Sequence, residues 1–381
     1  NNGKVIVVGF PGSAGNTFDQ VLLSANGGVN WTSATVTGSI SSYYSIAMLN
    51  ANTGFIAGTL GSLRKTTNGG LSWDSVPGPF GTNNLRRIEF VNATTGYLFQ
   101  MSTSSGGSWK TTDGGVNWTA LTTGTIDGRG YASCFINANT GYFSNYAPKL
   151  IKTTDGGANW TSLDNTPMGS GYIYGIKFFN ADSGYACGTS AARLCRTTNG
   201  GTSFDTVPQP FAASLYSMNW GDFNNGWIFG NNGFAGRTTT GGSSWIIYNT
   251  SGSYGYGNYM TNTDSGFVVG GYYVHKISKP PYVGTEWTGK EIPSTYYLKQ
   301  NYPNPFNPMT TIEFAIPKTG LVSLKMYDIA GREILNPINM TLNPGIVKYT
   351  FNGANFASGV YFYRLAVDGK QIDTKKMVLV K

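Results

Sequence analysis

Thr111-Thr112-Asp113-Gly114-Gly115-Val116-Asn117-Trp118 is one of six copies of a single phrase, Ser/Thr-x-Asn/Asp/Thr-x-Gly-x-x-Trp/Phe, which recurs every 41 to 45 residues. The other copies are Ser24 to Trp31, Thr66 to Trp73, Thr153 to Trp160, Thr197 to Phe204 and Thr238 to Trp245. Short apolar runs at that period, with no helical pattern between them, match one four-stranded β-propeller blade. Such a unit cannot bury its two faces without neighbours.

A second signature precedes the first in every period: Gly54-Phe-Ile-Ala-Gly58, Gly96-Tyr-Leu-Phe, Gly141-Tyr-Phe-Ser, Gly184-Tyr-Ala-Cys-Gly188, Gly226-Trp-Ile-Phe-Gly230 and Gly266-Phe-Val-Val-Gly. Gly3-Lys-Val-Ile-Val-Val-Gly9 fits the same slot and makes a seventh. The order expected within a blade is an inner strand, the Gly-aromatic strand, the Lys/Arg-Thr-Thr strand, the eight-residue phrase and an outer strand. The expected fold is all-β: a seven-bladed propeller, with six blades as the fallback count, over residues 1–290. In the last blade Tyr272 to Ile277 replaces the Lys/Arg-Thr-Thr strand, and Gly284-Thr-Glu-Trp287 reads as a remnant of the phrase. The chain opens at Asn1-Asn2-Gly3 in what reads as mid-blade, so a leader and one strand are expected to precede it.

The phrase has a physical explanation without a ligand. An Asn or Asp side chain accepts hydrogen bonds from backbone N–H groups two or three residues on, and glycines supply the positive φ of a tight turn. The opening hydroxyl bonds the turn. The closing Trp31, Trp73, Trp118, Trp160 or Trp245 buries a large face between sheets. Only Asp113 and Asp155 are acidic; Asn26, Asn68, Asn199 and Thr240 fill the equivalent slots. A catalytic carboxylate or metal ligand does not survive that exchange, whereas a turn-capping acceptor does.

Composition narrows the function classes. Charged residues are 12% of the 381, while 53 glycines and many Asn, Thr, Ser and Tyr suit an extracellular protein with a polar, weakly ionic surface. The net charge is +8, with a disproportionate share of the excess after residue 295, and no basic-aromatic groove points to nucleic acid. No apolar run is long enough to span a membrane. Cys187 and Cys195 fall on neighbouring strands, as a cross-strand disulfide or as two buried thiols; Cys134 reads as core. With one histidine, His275, and no Cys/His cluster, no metal or other cofactor is expected.

The six phrases resemble the Asp-box, or BNR, repeat of sialidases, xyloglucanases, sortilin-type receptors and the photosystem II stability/assembly factor. The Lys-Thr-Thr-Asp-Gly-Gly-x-x-Trp form at 110–118 and 152–160 is most similar to the last of these. The resemblance covers residues 1 to about 290 and implies a propeller whose boxes lie on outer hairpins, away from the ligand face.

A candidate site emerges ten residues before each Gly of the second signature, where Tyr44, Arg86, Tyr131, Tyr174, Tyr216 and Tyr256 stand. Aromatic faces with few charges suit sugar rings or extended peptides at a channel mouth. Ile46, Ile88, Ile176 and Met218, then Met48, Phe90, Phe135, Phe178 and Trp220, share their parity. Framework packing between blades is therefore the competing reading. Residues 1–295 hold only three glutamates, Glu89, Glu286 and Glu291, and the arginine triad of sialidases has no counterpart here. The chain is read as non-enzymatic.

From Tyr296 the composition changes. Asn301-Tyr-Pro-Asn-Pro-Phe-Asn-Pro308 leads into alternating runs at 310–316, 321–327, 346–351, 360–367 and 371–380, which read as a small immunoglobulin-like sandwich able to fold alone. Residues 291–308 are the expected Pro-rich linker and entry strand, with the prolines clamping one sheet edge. Pro303, Asn304, Pro305 and Phe306, the Gly359 and Tyr361 run, Ile329-Ala-Gly-Arg-Glu333 and the closing Lys375-Lys376 resemble the type A C-terminal sorting domain of the type IX secretion system, over residues 296–381. That resemblance implies passage through the periplasm, contact with the secretion machinery, export to the medium or the outer-membrane surface, and in many members removal of the domain. The expected function is a secreted or surface propeller that binds a protein or glycan. The alternatives are a self-assembling structural subunit and a glycan hydrolase built on Glu89 and Asp222.

Overall fold

The computed structural model describes residues 3–9, 21–38, 42–101, 107–121, 131–145, 149–163, 166–168, 171–189, 194–211, 214–249, 255–261, 265–270, 273–278, 285–289 and 291–381. Tyr272 and Gly284 lie outside them. The chain divides into two compact units, Asn1–Asp205 and Thr206–Lys381.

The first unit is a series of antiparallel sheets, each ordered as its repeat. One is Val5–Val8, Val21–Ser24 and Thr32–Ser33. The next runs Tyr43–Met48, Gly54–Gly58, Leu63–Thr66 and Ser72–Ser75, and Thr35–Val36 joins its outer edge in parallel. Then follow Asn84–Phe90, Gly96–Met101, Ser108–Thr111 and Thr119–Ala120; Ser133–Phe135, Gly141–Asn145, Lys149–Thr153 and Thr161–Ser162; and Ile173–Phe178, Gly184–Gly188, Leu194–Thr197 and Asp205–Thr206. The Gly-aromatic strands Gly54–Gly58 and Gly184–Gly188 are buried throughout, which is why they read as unbroken small or apolar runs.

One packing unit repeats through this series. An aromatic six residues before the signature glycines Gly96, Gly141 and Gly184 covers that glycine: a Cβ on Gly96 would meet the Phe90 ring at 2.7 Å, and one on Gly141 would meet Phe135 at 2.4 Å. The other face of the same ring receives an aromatic from the preceding Gly-aromatic strand. Tyr97 stacks on Phe135 with centroids 3.7 Å apart, and Tyr142 on Phe178 at 3.4 Å. Glycine is needed because the ring leaves no room, and the ring is needed because the next sheet stacks on it. Polar atoms lace the same sheets. The Tyr97 hydroxyl donates to the Ala138 carbonyl at 2.7 Å and that of Tyr142 to Ala181 at 3.0 Å, each in the following repeat. Burial, the largest cause, pushes both phenols up to about 12, so they stay neutral donors.

Cys187 and Cys195 are buried free thiols. The disulfide reading fails on register: Cys187 faces Leu194 and Cys195 faces Ala186. Burial raises the Cys187 thiol far above its ordinary value and Cys134 to about 11, which keeps both protonated.

The second unit holds the sixth repeat sheet, Leu215–Trp220, Gly226–Gly230, Phe234–Thr238 and Ser244–Asn249, and the three-stranded Gly257–Met260, Ser265–Gly270 and Tyr273–Ser278. It also contains the tail, two facing sheets with alternating burial. Val322, Leu324 and Met326 of one and Ile312, Phe314 and Val347 of the other are fully buried. One strand, Glu333–Leu342, has no counterpart in the sequence reading. Its Asn336-Pro337 interrupts the alternation, and it lies at a sheet edge, where proline is tolerated.

The expected boundary at 290 is bridged by hydrogen bonds. Thr285–Thr288 pairs with Ser244–Asn249 on one side and with Gly345–Asn352 of the tail on the other, so the sixth repeat sheet and one tail sheet form a single eight-stranded sheet. The segment around Trp287 is thus a bridging strand. Residues 301–308 cross between the tail sheets. Tyr302 bridges Thr311, and Phe306 bridges Leu379, with the Phe306 N–H donating to the Val378 carbonyl at 2.9 Å.

Candidate functional site

The eight-residue phrase closes on itself. Thr111 Oγ1 donates to Asp113 Oδ1 at 2.8 Å and accepts from the Gly115 N–H at 2.9 Å, and Asp113 Oδ1 accepts from the N–H groups of Val116 and Asn117 at 3.0 and 2.9 Å. Thr66 with Asn68, Thr153 with Asp155, Thr197 with Asn199 and Ser24 with Asn26 repeat the hydroxyl-to-acceptor bond. The backbone donor that recurs lies four residues on, at Asn30, Ser72, Asn159 and Ser203, a longer reach than the two or three residues expected. Both central glycines have positive φ in each copy, for example Gly69 at 73° and Gly70 at 90°. Trp31, Trp73, Trp160 and Trp245 each donate Nε1–H at 3.1 Å to the second of those glycines. Trp118 closes its copy by packing with Phe80 and Phe90. The N–H groups of Asn117, first its backbone and then its side chain, hold the Asp113 carboxyl at about 2, and Asn159 does the same for Asp155. These side chains are spent on their own hairpins.

The tyrosine column is held differently. In four inner strands it occupies the unpaired residue of a β-bulge. The ladder steps from Tyr43 to Ser45 past Tyr44, from Leu85 to Arg87 past Arg86, from Ile173 to Gly175 past Tyr174, and from Leu215 to Ser217 past Tyr216. Tyr131 reaches a related state through a side chain, since Ser144 Oγ accepts the N–H of both Tyr131 and Ala132 at 2.9 Å. A bulge frees its extra residue from the two-residue alternation and re-aims the side chain. For that reason strand parity could not decide between filler and contact.

In the first unit the column converges. The Arg86 guanidinium lies 4.3 Å from the Tyr44 ring centroid and 5.1 Å from that of Tyr131, and Tyr131 meets Tyr174 at 4.7 Å. Tyr172, which the sequence reading missed, completes the cluster at 5.5 Å from Tyr131. Its signal was present as a second tyrosine two residues before Tyr174, but outside the counted register. All five are half-buried. Among the described residues no oxygen accepts from the Arg86 guanidinium, whose contacts are with the two rings. In the second unit Tyr216 and Tyr256 meet at 5.2 Å, with Tyr256 55% exposed.

The carboxylates take other tasks. Glu89 accepts from the Ser133 hydroxyl at 2.5 Å and the Phe135 N–H at 2.8 Å, tying its sheet to the next. Ser45 with Ile88 and Cys134 with Phe178 form equivalent ties. Asp222 caps a turn through the N–H groups of Asn224 and Asn225 and the Asn225 side chain. Among the described residues no trio of His, Cys, Asp or Glu is placed to hold a metal ion, and no helix is long and apolar enough to cross a membrane.

In the tail, Asn304 Oδ1 accepts from the Val378 N–H at 2.9 Å, and Phe306 is buried against Phe351 between Pro303–Pro305 and Pro308. Gly359 opens the strand that carries Tyr361, whose hydroxyl donates to the Ala357 carbonyl at 2.7 Å. Lys375 pairs with Asp373 at 2.9 Å, and Lys376 is exposed.

Comparison with known proteins agrees with both halves. Residues 300–381 match the family model described as secretion system C-terminal sorting domain, and residues 15–133 match that of photosynthesis system II assembly factor YCF48. No curated protein matches the chain. Among solved structures, YCF48 bound to D1 peptide is similar over 74% of this chain and 91% of its own, at 17% identity and TM-score 0.58. A GH74 xyloglucanase from Xanthomonas campestris is similar over 96% of this chain and 83% of its own, at 10% identity and TM-score 0.50. At these identities the likeness is one of fold. The sorting domain implies secretion or cell-surface export through the type IX system. The chain joins a propeller domain of the YCF48/BNR type to a secretion-system C-terminal sorting domain.

Proposed function

We propose that the repeats form a seven-bladed propeller and that the exported protein is a non-enzymatic binding module, which takes a protein segment or a glycan on the aromatic bulge cluster around Arg86. The observation that carries this reading is the Arg86 guanidinium set against the rings of Tyr44 and Tyr131, with Tyr172 and Tyr174 packed on Tyr131. Half-buried rings offer faces for sugar rings or peptide side chains, and the guanidinium offers donors for hydroxyl, carbonyl or carboxylate oxygens. The similar YCF48 structure has a peptide bound, so this kind of scaffold accommodates such a ligand. Glu89 and Asp222, the carboxylates of the hydrolase alternative, are both engaged in framework bonds, which favours binding over turnover.

Glycan and peptide arrays probed with the full chain test the proposal. The expected result is retention of one ligand class without product release, weakened ~10-fold or more by Tyr131→Ala. Turnover of an array glycan, or retention indifferent to Tyr131 and Arg86 substitutions, contradicts it.

A further inference from the structure

The outer strands of two repeat sheets, Thr119–Ala120 and Thr161–Ser162, are two residues long and exposed. Ser244–Asn249 is six residues long, because Ile246-Ile247-Tyr248 follows its Trp where the other copies carry Thr or Asp. A long outer strand with an open edge invites another strand. Here that edge is filled by Thr285–Thr288, whose far edge takes the tail strand Gly345–Asn352 in the register Thr285 to Tyr349 and Thr288 to Ile346.

A second, polar contact accompanies the ladder. Asn343 of the tail reads the loop that enters the sixth repeat sheet: its backbone N–H donates to the Pro210 carbonyl at 2.8 Å, and Nδ2 donates to the carbonyls of Gln209 and Phe211, both at 3.0 Å. The Trp287 indole N–H donates back to the Asn343 carbonyl at 3.3 Å. Trp287 is 2% exposed, and Gly345 lets it approach, since a Cβ there would lie 2.4 Å from Trp287 Nε1. These are the marks of a fitted interface and not of a tether. The covalent connection, by contrast, runs through Glu291, Ile292, Ser294 and Thr295, all exposed. Lys375 and Lys376 lie on the other tail sheet, away from the paired edge.

We propose that the sixth repeat sheet is a docking surface for the chain's own sorting domain, with Thr285–Thr288 as the receiving edge and Asn343 as the hook, and that the domain stays bound after the chain is cut at 291–295. Removal of the address would then require dissociation as well as cleavage. Once dissociated, the Thr285–Thr288 edge is open to a strand from another molecule.

The test uses the full chain with a specific protease site replacing Glu291–Thr295. After cutting, the fragments are expected to co-elute in size exclusion at about 10 µM, and Asn343→Ala is expected to speed their separation ~10-fold or more. Fragments that elute apart, or that separate at the same rate with and without Asn343, overturn the proposal. Amide hydrogen exchange on the uncut chain needs no variant. Protection at 285–288 and 346–349 as strong as at 363–367 supports the dock, and free exchange there overturns it.

Discussion

At the residue scale, the eight-residue phrase shows why two acids and four neutral side chains are interchangeable. The third position must accept backbone N–H groups four residues on, a task for any oxygen on a short side chain. Where it is Asp the bond titrates. Asp113 and Asp155 sit at about 2 in the folded chain, below the ~3.9 of an unfolded Asp. The unfolded state therefore binds protons first as acid is added. The contribution of both residues is complete above ~4 and is lost as the pH falls through about 2. Thermal melts between pH ~5 and ~2 should show that loss, and Asp113→Asn with Asp155→Asn should flatten it, because amide copies do not titrate. An unchanged slope would remove the carboxylates from the account. This much was legible in the sequence, because hydroxyl, acceptor and paired glycines are local chemistry at fixed spacing. The four-residue reach was not, since it depends on how tightly the two glycines turn the chain.

At the element scale, inner strands carry both the framework and the proposed site, and the bulge separates the two. Residues in ladder register staple one sheet to the next, as Glu89 does with Ser133 and Phe135. Residues at the bulge escape register and gather around Arg86. Glu89→Ala should leave the Phe135 N–H and Ser133 hydroxyl without an acceptor at a cost of about 1–3 kcal/mol. That lowers the melting temperature by roughly 2–4 °C per kcal/mol in a unit of this size. Ligand retention should persist at temperatures where the variant is folded; loss of binding with unchanged stability would return Glu89 to the site. The period of the column was readable from the sequence by counting back from each glycine. Its conformation was not, because the same Tyr-x-Ile alternation serves a bulged strand and a regular one. Tyr172 was missed because it stands two residues before Tyr174, outside the counted register.

At the scale of the whole molecule, two architectures were legible because each repeats or alternates: Gly-aromatic strands with their boxes, and the tail's inward Val322, Leu324 and Met326. Their union was not legible. Composition changes at 296, but hydrogen bonding does not stop there, and the strand that joins the halves is four residues that resemble a decayed box. The lengthened Ser244–Asn249 was the available signal, a repeat whose outer strand departs from its siblings. Shape belongs to the boxes and, in the proposed function, recognition to the bulges. One paired measurement tests that division: melting temperature and ligand affinity, on the tightest array ligand, for Thr111→Val and Arg86→Ala. Thr111→Val, which orphans the buried Gly115 N–H, should cost about 1–3 kcal/mol of stability and leave affinity within about twofold. Arg86→Ala should weaken affinity ~10-fold or more while shifting stability by no more than ~1 kcal/mol. The reverse pattern, binding lost at the box and only stability lost at the bulge, would contradict the account.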